Sequence, residues 1–451
     1  MAVISGILAS PITIALFSLV LVALYAHNKA KESYAHRKAA RDNGCEPPPQ
    51  VPSKDPFFGL DVTKKLNKAY QDHRRSELFK EYHDTLGLTY QTTALRKTRI
   101  YTIDPDNLRA IFSNIKDWGV QPLRLPPWGP VLGKGVMDSD GTFWRHSRDM
   151  VQPLFNRQQI SDLASFDIHV SNFLKLIPND GSTVDMQDLI ARLQMDFTLE
   201  FLFSESPRCL TSTPDPHAME FLEAFHFSQS ELGRQLQLPI LSLLTSNKPL
   251  AEAKQIVRNF AVEQVDEAHL RCDNPKEAKK NKYVLADELV KVNKDKVDVQ
   301  NQLLNAFLAA HDTTATLMTN TVFNLARNPR VYQKLREEVL HLDMQQVNFD
   351  ELKGLPYLKN VINEALRVTG VVEQTARIAL NDTILPTGGG PSGNLPIYVQ
   401  KGTSSQLNTF SLHRRPEIFG KDVDQFIPER WEGLHPGAWE FMPFINGPRV
   451  W

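Results

Sequence analysis

Between Ala2 and Ala26 the chain carries no charged residue, and most positions are Ile, Leu, Val, Phe or Ala. A bilayer-spanning helix needs roughly 20 such residues, so the pattern predicts a transmembrane anchor over residues 1–28. A cleavable leader would place basic residues before a shorter apolar core. Here Lys29, Lys31, Arg37, Lys38 and Arg41 follow the run instead. Positive charge on the cytosolic flank puts the N-terminus in the lumen and everything after the anchor in the cytosol.

The polar pattern then changes character. Glu46-Pro47-Pro48-Pro49-Gln50-Val51-Pro52 cannot be helical, because each proline restricts itself and its predecessor to extended geometry. Residues 29–52 are therefore expected to be a basic, proline-rich linker, stiff at its end. Helical periodicity dominates afterwards, with Pro- and Gly-rich breaks near 122–135 and 205–216 and a solvated loop and helix start near 271–298. The longest regular stretch runs from about Val299 to Ala326, with Leu303, Leu304, Phe307, Leu308, Leu317 and Met318 as its apolar positions. Short β-like runs at Ala376–Leu380 and Ile397–Val399 flank Thr387-Gly388-Gly389-Gly390-Pro391-Ser392-Gly393. A phosphate cradle would be followed by a helix, whereas Leu395–Val399 reads as strand, so this loop is expected to close a hairpin. The fold class predicted is mainly α with a smaller β region, a single large domain over residues 53–451.

Composition narrows the function. With 451 residues, 41% hydrophobic and 23% charged, the chain can bury a large core. A formal net charge of -1 gives no field to attract nucleic acid. Cys45, Cys209 and Cys272 are far apart and form no C-x-x-C pair, which suggests a reducing compartment and neither a disulfide framework nor a zinc site.

Four constellations carry candidate chemistry. Ala309-Ala310-His311-Asp312-Thr313-Thr314 sits inside the long apolar helix. In isolation Asp-Thr-Thr is a capping or solvent-facing feature, but on an oily wall hydroxyl and acid groups can relay protons. Glu364 and Arg367 stand three apart on a helix, ordinarily a surface pair worth a few tenths of a kcal/mol. Trp144 and Arg148 stand one turn apart, ordinarily a cation–π pair. Phe444-Ile445-Asn446-Gly447-Pro448-Arg449-Val450 ends in Trp451, and alone it is ordinary turn chemistry.

In their order along the chain (Trp144, Ala309, Glu364, Phe444) the four together resemble the cytochrome P-450 monooxygenases. Phe444, Gly447 and Arg449 match the haem-loop pattern F-x-x-G-x-R-x-C, and position 451, where the iron-ligating cysteine falls, holds tryptophan. An indole N–H is a donor with no lone pair for iron. The Ala309–Thr314 segment resembles the oxygen-activation motif [A/G]-G-x-[D/E]-T-[T/S], with Ala310 where glycine is usual. The resemblance implies that Ala309 and Ala310 line the haem groove, that Asp312 feeds protons and that Thr313 stabilises the activated oxygen. It further implies that Glu364, Arg367 and Arg430 (in Pro428-Glu429-Arg430-Trp431) form a buried structural cluster, and that Trp144, Arg148, Arg377 and Arg449 hold haem propionates.

Within that family, Pro52-Ser53-Lys54-Asp55-Pro56-Phe57-Phe58-Gly59-Leu60-Asp61 and the Thr-Gly-Gly-Gly-Pro loop look like the fungal alkane- and fatty-acid-hydroxylating group. Val371, Val372, Glu373 and Gln374 fall where a substrate channel is expected, and the polar pair suits a more oxygenated or amphipathic molecule. The resemblance thus implies a haem-thiolate monooxygenase acting on a small hydrophobic substrate: a long-chain aliphatic, a fatty acid or a specialised metabolite. It implies haem b, O2 and electrons from an NADPH-dependent cytochrome reductase at the endoplasmic reticulum membrane. Trp451 adds the expectation of a P-450 fold incomplete at its C-terminus, with haem poorly held, hence an inactive product. A cysteine codon read through its splice junction would give TGG, tryptophan, so a gene-model origin is also expected.

Overall fold

The computed structural model describes residues 11–450 except 56–57, 95–96, 156–162, 238–246, 275–282 and 344–346. Helix α1, Pro11–Asp42, carries the apolar run straight into the basic segment. Phe17, Leu19, Val20, Leu21, Val22, Leu24 and Tyr25 are exposed on it. Among the described residues no helix is long and apolar enough to cross a membrane, and Ala2–Ser10, part of the expected span, lie outside them. Near its C-terminal end His36 Nδ1 lies 3.3 Å from the Tyr398 hydroxyl and 3.5 Å from Asp382 Oδ2.

The proline segment is extended, as its residues demand, but it is docked along its length. Glu46 N donates to Pro396 O at 3.0 Å, Gly390 N to Pro47 O at 3.1 Å, and Val51 N to Gln91 O at 2.9 Å, with Val51 itself buried. Extended backbone with free carbonyls is what a sheet edge can pair with, so the stiffness that excludes helix here serves docking.

Most of the chain is helical. The elements that position the site are α2 (Gln121–Leu132), α3 (Gly141–Val151), α4 (Met186–Phe203), α5 (Pro216–Gln237), α6 (Lys248–Asp273), α7 (Lys296–Arg327) and α8 (Pro356–Val368). The break expected near 122–135 is corrected by α2, which continues through Pro126, Pro127 and Pro130. Pro122 opens the helix where its missing N–H costs nothing. The interior prolines are tolerated because Val131 and Leu132 are buried, with Trp128 packed against the same core. Helix α7 starts earlier than its apolar period suggests, because the Asp295 side chain accepts from Val297 N and Asp298 N and so caps it.

One core joins α4, α5, α6 and α7 through Leu199, Phe203, Phe221, Phe225, Phe260 and Phe307. Phe221 stacks on Phe260 at 4.2 Å, and Phe225 meets Phe307 edge-on at 4.8 Å. Each such burial contributes about 1.5–3 kcal/mol.

The β region is a five-stranded sheet in the order β1-β2-β7-β4-β3 beside a two-stranded hairpin, β5-β6. The strands are β1 Thr89–Ala94, β2 Lys97–Thr102, β3 Trp118–Gly119, β4 Gln374–Ala379, β5 Thr383–Gly389, β6 Leu395–Val399 and β7 Ser404–Asn408. The triple-glycine segment closes the hairpin, with Gly388 N donating to Gly393 O at 2.7 Å. Strand β6 follows it, so no helix N-terminus faces the loop.

Candidate active site

Helix α7 acts as the rail on which the site is assembled. From its first half, Gln302 Oε1 accepts from Val136 N at 3.2 Å and Asn305 Oδ1 from Met137 N at 3.1 Å. Gly135 lets Asn305 come this close, since a Cβ there would lie 2.3 Å from Asn305 Nδ2. The loop pinned this way presents carbonyls to two arginines. Met137 O accepts from Arg124 Nη1 at 2.9 Å, and Ser139 O accepts from both terminal nitrogens of Arg449. Gly447 holds the Arg449 loop against the body at φ 89, where a Cβ would sit 2.4 Å from Phe112 O.

Trp144, buried on α3, lies under two of these cations, with Arg449 4.8 Å and Arg148 5.8 Å from its ring centre. Arg148 also donates to Val450 O at 2.6 Å. Arg377 enters from β4, fully buried, with its guanidinium 4.5 Å above Phe112 and one bond, 2.9 Å, to Ala376 O. Burial and then the neighbouring Arg124 and Arg449 push Arg377 well below the usual arginine range. Burial also pushes Arg449 down to about 10, with Asp140 opposing and Arg124 and Arg148 adding to the shift. The carboxylates nearby are Asp140, occupied by Val120 N and Gln121 N, and Asp138, which burial pushes up to about 6. Arg124, Arg377 and Arg449 share those two acids, with Arg449 Nη2 3.4 Å from Asp140 Oδ1, and Arg148 lies alongside, which leaves positive charge in excess.

On α7 the Thr313 hydroxyl donates back to Ala309 O at 2.6 Å, and Ala310 O accepts from Gln194 at 3.3 Å. Asp312 turns toward α5, where Gln229 Nε2 donates to its Oδ2 at 2.7 Å. Small side chains at 309 and 310 leave this wall of the helix open to a flat ligand.

The second charged group is complete. Glu364 receives Arg367 Nε and Nη2, both at 2.8 Å, Arg430 Nε at 2.9 Å, Ile427 N at 2.9 Å and Trp431 Nε1 at 3.0 Å. Arg367 spends its remaining N–H groups on His413 O, Val423 O and Gln425 O. Glu364 and Arg367 are wholly buried. Against the lowering effect of burial, Glu364 and Asp422 raise Arg430 above its ordinary value.

The remaining candidates are placed as follows. Phe444 is exposed, at 67%. Val371 is half-buried and Val372 exposed. The Glu373 carboxylate accepts from Ser76 Oγ, and Gln374 Nε2 donates to Gln406 at 3.2 Å, so both polar side chains have protein partners. Trp451 lies outside the described residues. Sequence reasoning missed Arg124, which sits among prolines with no acid in register, and Trp431, although it adjoins Arg430.

Comparison with known proteins completes the picture. The sequence model of one family, Cytochrome P450, matches residues 49–450. The chain belongs to the cytochrome P450 family. It is 37% identical over 428 residues to cytochrome P450 monooxygenase FPY7 of Fusarium mangiferae, covering 92% of this chain and 82% of that protein. It is 36% identical over 441 residues to cytochrome P450 monooxygenase himC of Aspergillus japonicus, 96% of this chain and 78% of that one. Cytochrome P450 52A3-B of Candida maltosa is 35% identical over 431 residues, 90% of this chain and 82% of its own length.

Membership of a cytochrome P450 monooxygenase family implies haem, O2 and a reductase. The site divides on the fit. Unbalanced arginines around Trp144 suit the paired carboxylates of a haem, and the groove at Ala309 and Ala310 suits its flat ring. Trp451, outside the described residues, is a side chain with no thiolate to offer. Cys45, Cys209 and Cys272 are engaged elsewhere, near Asn43, Met219 and Asp287 respectively.

Proposed function

We propose that this cytochrome P450 oxidises a small hydrophobic substrate, a long-chain aliphatic or fatty acid or a specialised metabolite of similar character. The observation that carries the reading is the arginine group around Trp144, a cradle charged for two propionates. In it Arg124, Arg148, Arg377 and Arg449 would hold the haem carboxylates, Trp144 sets the spacing of two of these arginines, and Ala309 and Ala310 leave room for the ring. Haem, when bound, supplies the oxidising chemistry with O2 and reductase electrons, and the protein supplies the pocket. Asp312, oriented by Gln229, is the carboxylate that moves protons, and Thr313 is the hydroxyl beside it. Substrate is assigned to the wall formed by residues 371–374. Glu364, Arg367 and Arg430 hold the pocket together without reacting.

The apolar run and the basic residues after it support tethering at the endoplasmic reticulum membrane, with residues 1–28 as anchor, 29–52 as linker and 53–451 as a cytosolic haem domain. The Trp451 indole favours a second reading, a product that lacks its axial donor and does not turn over. Haem titration into the purified chain tests both. Arg449→Met is expected to weaken haem binding about tenfold, the equivalent of roughly 1.4 kcal/mol. Equal affinity would remove the cradle argument. The reduced, carbon monoxide-treated protein is expected to lack a thiolate-type Soret band and Trp451→Cys to gain one. A thiolate-type band in the unsubstituted chain would end the second reading.

A further inference from the structure

Two histidines beside Asp312, His226 and His311, have no part in the reading above. His226 and Gln229 project from α5, three residues apart and so on one face, toward His311 and Asp312 on α7. The two imidazole Nε2 atoms are 3.0 Å apart. Asp312 Oδ1 is 3.2 Å from His311 Nε2 and 4.0 Å from His226 Nε2. We infer that His226, His311 and Asp312 form a binding site for a divalent transition-metal ion, Zn2+ foremost, that ties α5 to α7.

The geometry suits that ion. Tetrahedral zinc with bonds of roughly 2.0–2.1 Å to nitrogen and oxygen places its ligand atoms about 3.3–3.4 Å apart, and the three observed separations bracket that value. Gln229 occupies Asp312 Oδ2 and so turns Oδ1 toward both rings. His311 is buried and held flat against Phe307, with ring centres 5.3 Å apart and planes 12° apart. His226 and Asp312 are both about half open to solvent, which gives an entry path and a fourth position for water. Two imidazoles and one carboxylate select zinc or its neighbours in the first transition row over magnesium and calcium, which prefer oxygen.

Without metal the same pair must share a proton across the 3.0 Å gap, and the buried His311 Nδ1 has no hydrogen-bond partner among the described residues. A ligating histidine normally donates its second N–H to an acceptor, and losing such a partner costs about 10–100-fold in affinity. This therefore belongs to the weaker class of zinc sites, filled and emptied with metal supply. Occupancy would also engage Asp312 Oδ1 and remove it from proton transfer. That consequence rests on the role proposed for Asp312, whereas the binding does not.

The test is calorimetric titration of Zn2+ into the full chain, with the unfolding temperature as a second readout. One equivalent is expected to bind and to raise the unfolding temperature. His226→Ala, at an exposed position that tolerates truncation, is expected to weaken binding at least tenfold and abolish the thermal shift. His217→Ala removes an exposed histidine of the same helix and is expected to leave both unchanged. Undiminished affinity in His226→Ala, or equal losses in both variants, overturns the site, as does failure of Zn2+ to bind. None of these readouts depends on turnover, so they are separable from the fate of the monooxygenase reading.

Discussion

Two buried charge groups in this molecule are built from the same residue type and reach opposite states. Around Glu364, two arginines, an indole N–H and a backbone N–H converge on one carboxylate, and the spare donors of Arg367 end on carbonyls. Around Trp144, Arg124, Arg377 and Arg449 share Asp138 and Asp140, with Arg148 alongside, and Arg377 finds a single carbonyl. Burying a charge is costly unless partners repay the lost hydration. The first group is repaid within the protein and needs nothing further. The second is repaid only in part within the protein, by Met137 O, Ser139 O, Val450 O and the Arg449–Asp140 pair at 3.4 Å, and keeps positive charge in excess. Completeness thus separates a structural cluster from a binding one, and it does so without reference to which residues are present.

The largest expected effect comes from breaking the complete group. Glu364→Ala strands two buried guanidinium groups along with Trp431 Nε1 and Ile427 N, and such a loss costs about 3–5 kcal/mol. Urea unfolding followed by far-UV circular dichroism should show the midpoint collapse, or no folded protein at all. A midpoint within the error of the unsubstituted chain would mean that the cluster is decoration.

How legible each group was in the sequence follows from the same contrast. Glu364, Arg367 and Arg430 could be named because they resemble the family's E-x-x-R helix and its later arginine, whereas the spacing of three alone reads as a surface pair. The cradle was only partly legible. Trp144, Arg148, Arg377 and Arg449 occur in recognisable local contexts, whereas Arg124 reaches the site only because α2 runs on through its prolines. Prolines read as a break because local propensity opposes helix, and the packing of Val131 and Leu132 that overrides it is a tertiary fact. The hairpin loop and β6 were readable from the glycines and the Leu395–Val399 run, but β5 was not, since the run at Ala376–Leu380 belongs to β4 of the five-stranded sheet. The docking of residues 46–52 was not, since backbone pairing to a distant edge leaves no mark in side chains. His311 stood in view at a variable position of its motif, and its partner lies 85 residues away in sequence.

A pH titration sharpens the comparison on the complete side. His413, whose carbonyl takes an Arg367 proton, accepts from Met442 N through Nε2 at 2.9 Å. Burial, and then Arg367 and Arg414, push it from 6.5 down to about 3. Between those values the unfolded chain holds a proton that the folded one refuses. Stability therefore rises with pH across the window, and it is lost as pH falls from 6.5 toward 3, by about 1.4 kcal/mol per unit for one proton. His83, pushed by burial to about 4, adds a slope of the same sign. His413→Gln keeps an acceptor for Met442 N but cannot titrate, so unfolding midpoints measured from pH 7 to 4 should lose about one proton's worth of slope.

The smallest effect is the most discriminating, because its sign is at stake. Arg377→Met removes from the cradle a cation that has one carbonyl, an aromatic face and two like-charged neighbours. Methionine has a similar length and no charge to desolvate. In protein prepared without haem the substitution is expected to be neutral or stabilising, by about 1 kcal/mol, since an apolar residue of similar volume relieves an unrepaid buried charge. In protein loaded with haem the sign should reverse, because the propionate then loses a partner. Unfolding midpoints of both forms measure the two signs directly. If Arg377→Met destabilises the haem-free protein as Glu364→Ala does, the arginines are already satisfied from within, and the contrast between a closed cluster and one built for an external anion fails.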